Sequence, residues 1–181
     1  AGAEFEETNF DMNYVWAGRK QAFGSDYKEI WKKEYDRKEE SSKAVKEIDN
    51  IVDDIGDDLD DAKKVIKKIK KISKGEPKVS QHIFETEKYI QSMTKDADVA
   101  NSLMKKIYSV AQSVQISDVD NKVKNFNLAR KIRTLSESRL SKVERKLELV
   151  KKKIKSIKEQ KKKEERRRRD REREQRRRNR N

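Results

Sequence analysis

The chain has no cysteine, one proline and five glycines among 181 residues, and each shortage limits what it can form. Without cysteine there is no disulfide, no thiolate metal site and no cysteine nucleophile. So little glycine and proline leaves few points at which a helix must end, which favours long uninterrupted helices. The scattered glycines also provide no phosphate-binding loop.

Apolar residues are scarce as well, since 32% of the chain is hydrophobic and 45% is charged. No apolar run approaches the roughly 18–20 residues that are needed to span a bilayer. These proportions suit long helices that each bury a narrow apolar seam, and they do not suit a thick layered core. The composition therefore predicts an all-α protein.

Residues suited to catalysis or to metal binding are nearly absent. His82 is the single histidine. The acidic run from Asp53 to Asp61 departs from the spacing of a calcium loop, because Gly56 is misplaced and the final glutamate is missing. The sequence therefore predicts a non-enzymatic protein with no cofactor and no metal site.

Three apolar seams follow one another along the chain. Residues 26–73 carry the first, on one helix or on two nearly collinear helices broken near Ser41 and Ser42. Residues 77–115 carry the second, after a turn marked by Gly75 and Pro77. The third helix is expected to begin at Ser117, which caps it, and its seam ends at Ile157.

Short connections between these helices predict antiparallel neighbours. We therefore expect an elongated antiparallel bundle of three long helices plus an N-terminal helix, four-helix-bundle-like, with a basic C-terminal helical extension. Residues 1–5 have the character of a cloning remnant, residues 6–160 form the bundle and residues 161–181 form a basic, arginine-rich tail. The aromatic segment 8–24 either caps one end of the core or provides a lip that binds a partner.

Polar residues interrupt the first and third seams. Counting from the helix starts places the interruptions at one level, so we expect a partly buried polar layer in which Glu34 or Glu137 pairs with Arg133 or Arg37. The members of this polar layer are Glu34, Arg37, Ser41, Arg133, Ser136 and Glu137. Such a layer either fixes the helix register or loosens the bundle so that its seam can open toward a partner or a membrane.

Most of the net charge lies at the C-terminal end, because residues 151–181 carry +12 of the total +14. The guanidinium groups of the tail offer forked donors to phosphate, sulfate or carboxylate. No aromatic residue follows Phe126 to stack on bases, and no apolar residue follows Ile157 to enter a bilayer. The predicted anion-binding residues are Arg166, Arg167, Arg168, Arg169, Arg176, Arg177 and Arg178.

The three seams, the Gly75–Pro77 turn and the polar interruptions resemble the small, cysteine-free helical bundles that malaria parasites secrete, especially the sporozoite type that acts in cell traversal. The resemblance covers roughly residues 8–160 and is architectural. It implies a secreted, non-enzymatic factor, with its signal peptide removed, that helps the parasite cross host cells by contact with a membrane or a protein.

Two other functions fit the same residues. One is a nucleic-acid or ribonucleoprotein accessory factor, held by its basic tail and located in the cytoplasm. The other is a coiled-coil scaffold in which the seam continues into a homodimer, whereas the bundle interpretation predicts a monomer. The partner is accordingly expected to be an anionic surface (membrane lipid or sulfated polysaccharide), a protein or a nucleic acid.

Overall fold

The structure is a computed structural model that describes residues 27–180. Within this range the protein is all-α, with three long helices and no strand, which confirms the predicted fold class. The helices are α1 (Tyr27–Ser73), α2 (Ser80–Ser109) and α3 (Ile116–Arg180). The predicted N-terminal helix in residues 8–24 and the remnant at residues 1–5 lie outside the described residues.

The first helix is continuous through Ser41 and Ser42, so a single helix is the correct alternative for residues 27–73. The helix ends where the sequence predicted a turn. Lys74 and Gly75 both adopt left-handed conformations, with φ angles of 46° and 75°, and glycine reaches that region without strain. A short 3₁₀-helix, Pro77–Val79, then leads into α2.

The helices form two compact units, each built from one part of every long helix. Among the described residues, the first unit holds residues 27–55 and 97–134, and the second holds residues 56–96 and 135–180. The core of the first unit consists of alanine, branched aliphatic and one aromatic side chain: Ala44, Ile48, Ile51, Ile55, Ala100, Leu103, Ile107, Phe126 and Ala129. All of them lie on the predicted helical faces or one position beside them.

Two ion pairs show the register of α1 and α3 in the first unit. Arg37 Nη1 lies 2.7 Å from Asp120 Oδ1, and Arg133 Nη1 lies 3.5 Å from Asp54 Oδ2. Because both residue numbers rise from one pair to the next, these two helix segments run parallel, as an up-down-up order requires.

The second unit has its own apolar core, formed by Ile69, Val79, Leu147 and Val150. Here α2 and α3 are joined by ion pairs between Arg139 and Asp96 and between Lys146 and Glu85. The residue numbers rise on α3 while they fall on α2, so these segments are antiparallel. The last buried side chain of α3 is Ile157, and the helix continues without a break through residue 160 to Arg180.

The connection between α2 and α3 differs from the prediction. The second helix ends at Ser109 and does not reach residue 115. Val110 and Ala111 instead donate to carbonyls three residues back, at 3.3 and 3.2 Å, which is the tighter pattern common at helix ends. Val114 continues the heptad spacing of α2, yet it lies beyond the end of the helix and is 78% exposed. The spacing of apolar residues alone therefore does not show where a helix ends.

The start of α3 also differs in detail. The helix begins at Ile116, so Ser117 lies inside the first turn and is not its cap. Ser113 forms the side-chain hydrogen bonds just before this helix instead. Its hydroxyl donates to Asp118 Oδ2 at 2.5 Å and accepts from the backbone amide of Gln115 at 3.3 Å. The buried ammonium of Lys122 closes the connection by donating to the carbonyls of Ala111 and Ser113.

Candidate anion-binding surface

The predicted pairing within the polar layer is wrong. Glu34 and Glu137 are both exposed, and the two arginines pair with other carboxylates, Arg37 with Asp120 and Arg133 with Asp54. Counting from the helix starts assumed that α1 and α3 begin at the same level. The ion pairs show a different register, in which the residue facing Arg133 lies thirteen positions beyond Ser41.

Only the two serines of the predicted layer are buried. Ser41 is 4% exposed and belongs to the first unit, whereas Ser136 is fully buried and belongs to the second. The hydroxyl of Ser136 has no hydrogen-bond partner among the described residues. A buried hydroxyl without a partner is unfavourable, so Ser136 is a local weak point in the packing of α3.

A polar cluster that the sequence did not reveal lies in the second unit. The ammonium of Lys146 pairs with the carboxylate of Glu85 and lies 3.3 Å from Nδ1 of His82. Gln81 donates to the other oxygen of Glu85 at 3.2 Å. The hydrogen bonds from Lys146 and then from Gln81 hold the pKa of Glu85 below its ordinary value.

The single histidine, His82, therefore lies beside an ion pair that joins two helices, and these contacts assign it no catalytic role. No group of three or more histidine, aspartate or glutamate side chains within residues 27–180 could hold a metal ion. A wide groove of about 1140 Å³ in the first unit is lined by acidic and basic side chains alike, among them Glu39, Lys43, Glu47 and Lys122. Such a mixed lining favours no particular ligand charge.

The strongest candidate surface is the end of α3. From residue 158 to residue 180 every side chain is exposed, and the backbone remains helical throughout. The segment has no apolar seam to bury, so its helicity comes from residues of high helix propensity and from ion pairs one turn apart. Two such pairs are formed, Arg169 with Glu165 at 2.9 Å and Arg168 with Glu172 at 4.0 Å.

The charges of this segment are not spread evenly around the helix. At 3.6 residues per turn, nine positions share about 100° of the circumference. Eight of the nine are basic and one, Glu159, is acidic. The eight residues that define this basic face are Lys158, Lys162, Arg166, Arg169, Arg173, Arg176, Arg177 and Arg180.

The remaining surface of the segment is almost neutral. The nine positions of the basic face carry a net charge of +7, whereas the other fourteen positions between residues 158 and 180 carry +1. The basic face is about 33 Å long at 1.5 Å per residue. The centre of the basic face lies about 110° around the helix from the mean direction of the buried residues Val143, Leu147, Val150 and Ile157.

The predicted tail residues fall on both sides of this division. Arg166, Arg169, Arg176 and Arg177 belong to the basic face, while Arg167, Arg168 and Arg178 lie on the opposite side of the helix. The prediction missed Lys158, Lys162, Arg173 and Arg180, because it selected runs of adjacent arginines. Neighbours in a run point in different directions on a helix, and a 3.6-residue projection would have found the four missed residues.

None of the described helices contains a stretch that is long and apolar enough to cross a membrane. Comparison of the chain with protein-family models, with curated proteins and with solved structures gave no match. The candidate function therefore depends on the residues of this chain alone.

Proposed function

We propose that this protein is a non-enzymatic binding protein that holds an anionic partner on the basic face of α3. The observation that carries the proposal is the charge asymmetry of an exposed helix, with +7 on nine positions and +1 on fourteen. Such a face sets up a local positive potential, which raises the concentration of anions and accelerates their association.

The asymmetry favours binding over a purely solubilising role. Solubility depends on the amount of charge and on mixed signs across a surface, so it does not require the basic residues to share one side. Here the acidic residues of the segment lie mostly elsewhere, five of the six outside the basic face. Among the described residues, Arg169 is the one cation of the basic face held in an ion pair, with Glu165, so most of the face is available to an external anion.

The side chains define the chemistry of the partner. Six of the eight residues of the basic face are arginines, whose planar forks match phosphate and sulfate oxygens. No aromatic residue is present in the segment to stack on bases, and no apolar residue is present to enter a lipid core. Membrane lipid, sulfated polysaccharide and the backbone of a nucleic acid are the anions that fit.

A role in parasite host-cell traversal, which the resemblance to secreted helical bundles implies, remains part of the proposal. Contact between the basic face and an anionic surface is the step that such a role needs. The proposal takes the protein to be secreted and monomeric. Its alternatives are a cytoplasmic nucleic-acid accessory factor, which the arginine forks also favour, and a homodimeric coiled-coil scaffold.

Removal of the basic segment tests the proposal. The full chain and a version ending at Ile157 should be compared for binding to anionic vesicles, heparin and duplex RNA, at low salt and at about 0.15 M salt. Residues 158–180 bury nothing, so the shortened protein should keep its circular dichroism signal per residue in the bundle and its melting temperature. We expect it to lose binding to all three anions. Retention of binding would place the interaction on the bundle and contradict the proposal.

A further inference from the structure

We infer that the basic face docks flat on an anionic lipid leaflet, with the end of α3 lying parallel to the membrane plane. This inference depends on the proposed function, because it names the anion that the basic face holds. It goes beyond that function in fixing the kind of surface, the contacting side of the helix and the reversibility of the contact.

The residues of the basic face run nearly parallel to the helix axis. They recur at steps of three and four, in two rows with a spacing of seven: Lys162, Arg169 and Arg176 in one row, and Arg166, Arg173 and Arg180 in the other. Within each row the direction drifts by only about 20° per step of seven. All eight cations can therefore touch one plane over about 33 Å of helix.

A flat partner can contact more of these cations at once than a curved partner can. The major groove of B-form DNA is about 12 Å wide and turns around the duplex axis, so a straight helix leaves it before all eight residues make contact, and the major groove of an RNA duplex is narrower still. A helix inside a groove also meets phosphates on both of its sides. A leaflet of anionic headgroups meets both rows at once, along their whole length.

The rest of the helix surface is consistent with one-sided contact. Five acidic residues lie outside the basic face, and a helix with its side chains is about 10–12 Å across. That distance exceeds the screening length of about 8 Å at physiological ionic strength. Glu164, on the far side of the helix, is therefore screened from the lipid, whereas Glu165 and Asp170 lie next to the two edges of the basic face.

The absence of apolar residues determines how the contact ends. An interfacial helix that inserts needs a face rich in leucine, phenylalanine or tryptophan, and residues 158–180 contain none of these. Attraction to anionic headgroups is thus the whole driving force. The docked protein should leave the membrane when salt is added and should ignore vesicles without anionic lipid.

Two full-length variants of equal net charge test the inference. The first replaces four residues of the basic face by glutamine (Arg166→Gln, Arg169→Gln, Arg173→Gln and Arg176→Gln). The matched control replaces four arginines on the opposite side (Arg167→Gln, Arg168→Gln, Arg171→Gln and Arg178→Gln). Each variant loses one intrahelical ion pair, Arg169–Glu165 or Arg168–Glu172, and the control also loses the hydrogen bond from Arg171 to the Arg167 carbonyl.

Binding should be measured by flotation with vesicles of phosphatidylcholine containing about one-third phosphatidylserine, and with pure phosphatidylcholine vesicles. Each basic residue close to an anionic leaflet strengthens binding about five-fold. The basic-face variant should therefore bind several-hundred-fold more weakly than the wild type, and the control less than about ten-fold more weakly. Circular dichroism should confirm equal helicity in all three proteins.

Each of the following outcomes would overturn the inference. Equal weakening in both variants would show that net charge matters and the side of the helix does not. Binding that survives roughly 1 M salt, or that extends to pure phosphatidylcholine, would require an apolar contact. Wild-type binding to heparin or duplex DNA without binding to anionic vesicles would replace the lipid by another anion and leave the proposed function standing, whereas failure to bind any of the three would remove both.

Discussion

Lys146 of α3 forms an ion pair with Glu85 of α2, and this contact joins the two helices within the second unit. The same ammonium lies 3.3 Å from Nδ1 of His82. Glu85 also accepts a hydrogen bond from Gln81. These groups make the stability of the second unit sensitive to acid, because the partners of Glu85 favour its charged form.

The pKa of Glu85 is lowered from an ordinary value of 4.5 by Lys146 and then by Gln81. A lowered pKa means that the stabilisation is present above about pH 4.5 and is lost as the pH falls through the folded value. We expect Glu85→Gln to lower the free energy of unfolding at pH 7, with the difference from wild type shrinking below pH 4.5. Urea unfolding at several pH values measures this difference.

Glu144→Gln, which removes an exposed carboxylate of α3, is the control for that experiment. This control should change the free energy of unfolding at pH 7 by less than about 0.5 kcal/mol. A change for Glu85→Gln no larger than that of the control, or one that does not shrink below about pH 4.5, would mean that the contact with Lys146 does not stabilise the folded protein.

Lys122 offers a prediction about the connection between α2 and α3. Its ammonium is buried and donates to the carbonyls of Ala111 at 3.2 Å and Ser113 at 2.9 Å. Lys122→Met keeps the apolar stem but leaves both carbonyls without this donor, so it should lower the free energy of unfolding by about 1–3 kcal/mol. Chemical denaturation measures the loss, and Lys124→Met, at an exposed position on the same helix, should cost less than about 0.5 kcal/mol.

Replacing Gly56 or Gly75 by alanine should change the free energy of unfolding in opposite directions. Gly56 lies inside α1, and a methyl group added there would meet nothing within 4 Å. Gly56→Ala should therefore raise the free energy of unfolding by about 0.5–1 kcal/mol. Gly75 has a φ of 75°, so Gly75→Ala should lower stability by about 1 kcal/mol. Equal effects of the same sign at the two positions would contradict this account of the two sites.

The buried serines provide a further contrast. The hydroxyl of Ser73 donates to the carbonyl of Ile69 at 2.6 Å, whereas that of Ser136 has no partner among the described residues. Ser73→Ala should cost about 1 kcal/mol. Ser136→Ala should be neutral or stabilising, because it removes a buried polar atom that nothing satisfies. Thermal melts of both variants distinguish the two cases, and a loss at Ser136 as large as that at Ser73 would reveal a hidden partner.

Local sequence signals were sufficient for much of the fold. The seven-residue spacing of apolar side chains predicted α1 and α3 closely, and Gly75 with Pro77 marked the turn between the first two helices. Where α2 ends was harder to predict, since Val114 satisfies the heptad spacing but is exposed. The side chain that closes this end, Lys122, lies on the next helix, and pattern analysis of one segment does not include it.

The pairing within the polar layer could not be predicted from the sequence of each helix taken separately. Arg37 and Arg133 were expected to pair with Glu34 or Glu137, but their partners are Asp120 and Asp54. Which residues face each other depends on the stagger between helices, and that stagger is set by the packing of the whole core. The basic face, by contrast, follows from the sequence once residues 158–180 are known to be helical.

In the proposed function, residues 158–180 bind the anionic partner. Hydrogen–deuterium exchange of the full chain, with and without anionic vesicles, tests it directly, because those exposed amides open easily unless a partner holds the helix. We expect slower exchange in peptides from residues 158–180 and unchanged exchange in residues 27–157. Protection confined to residues 27–157, or no change anywhere while the protein is bound, would contradict it.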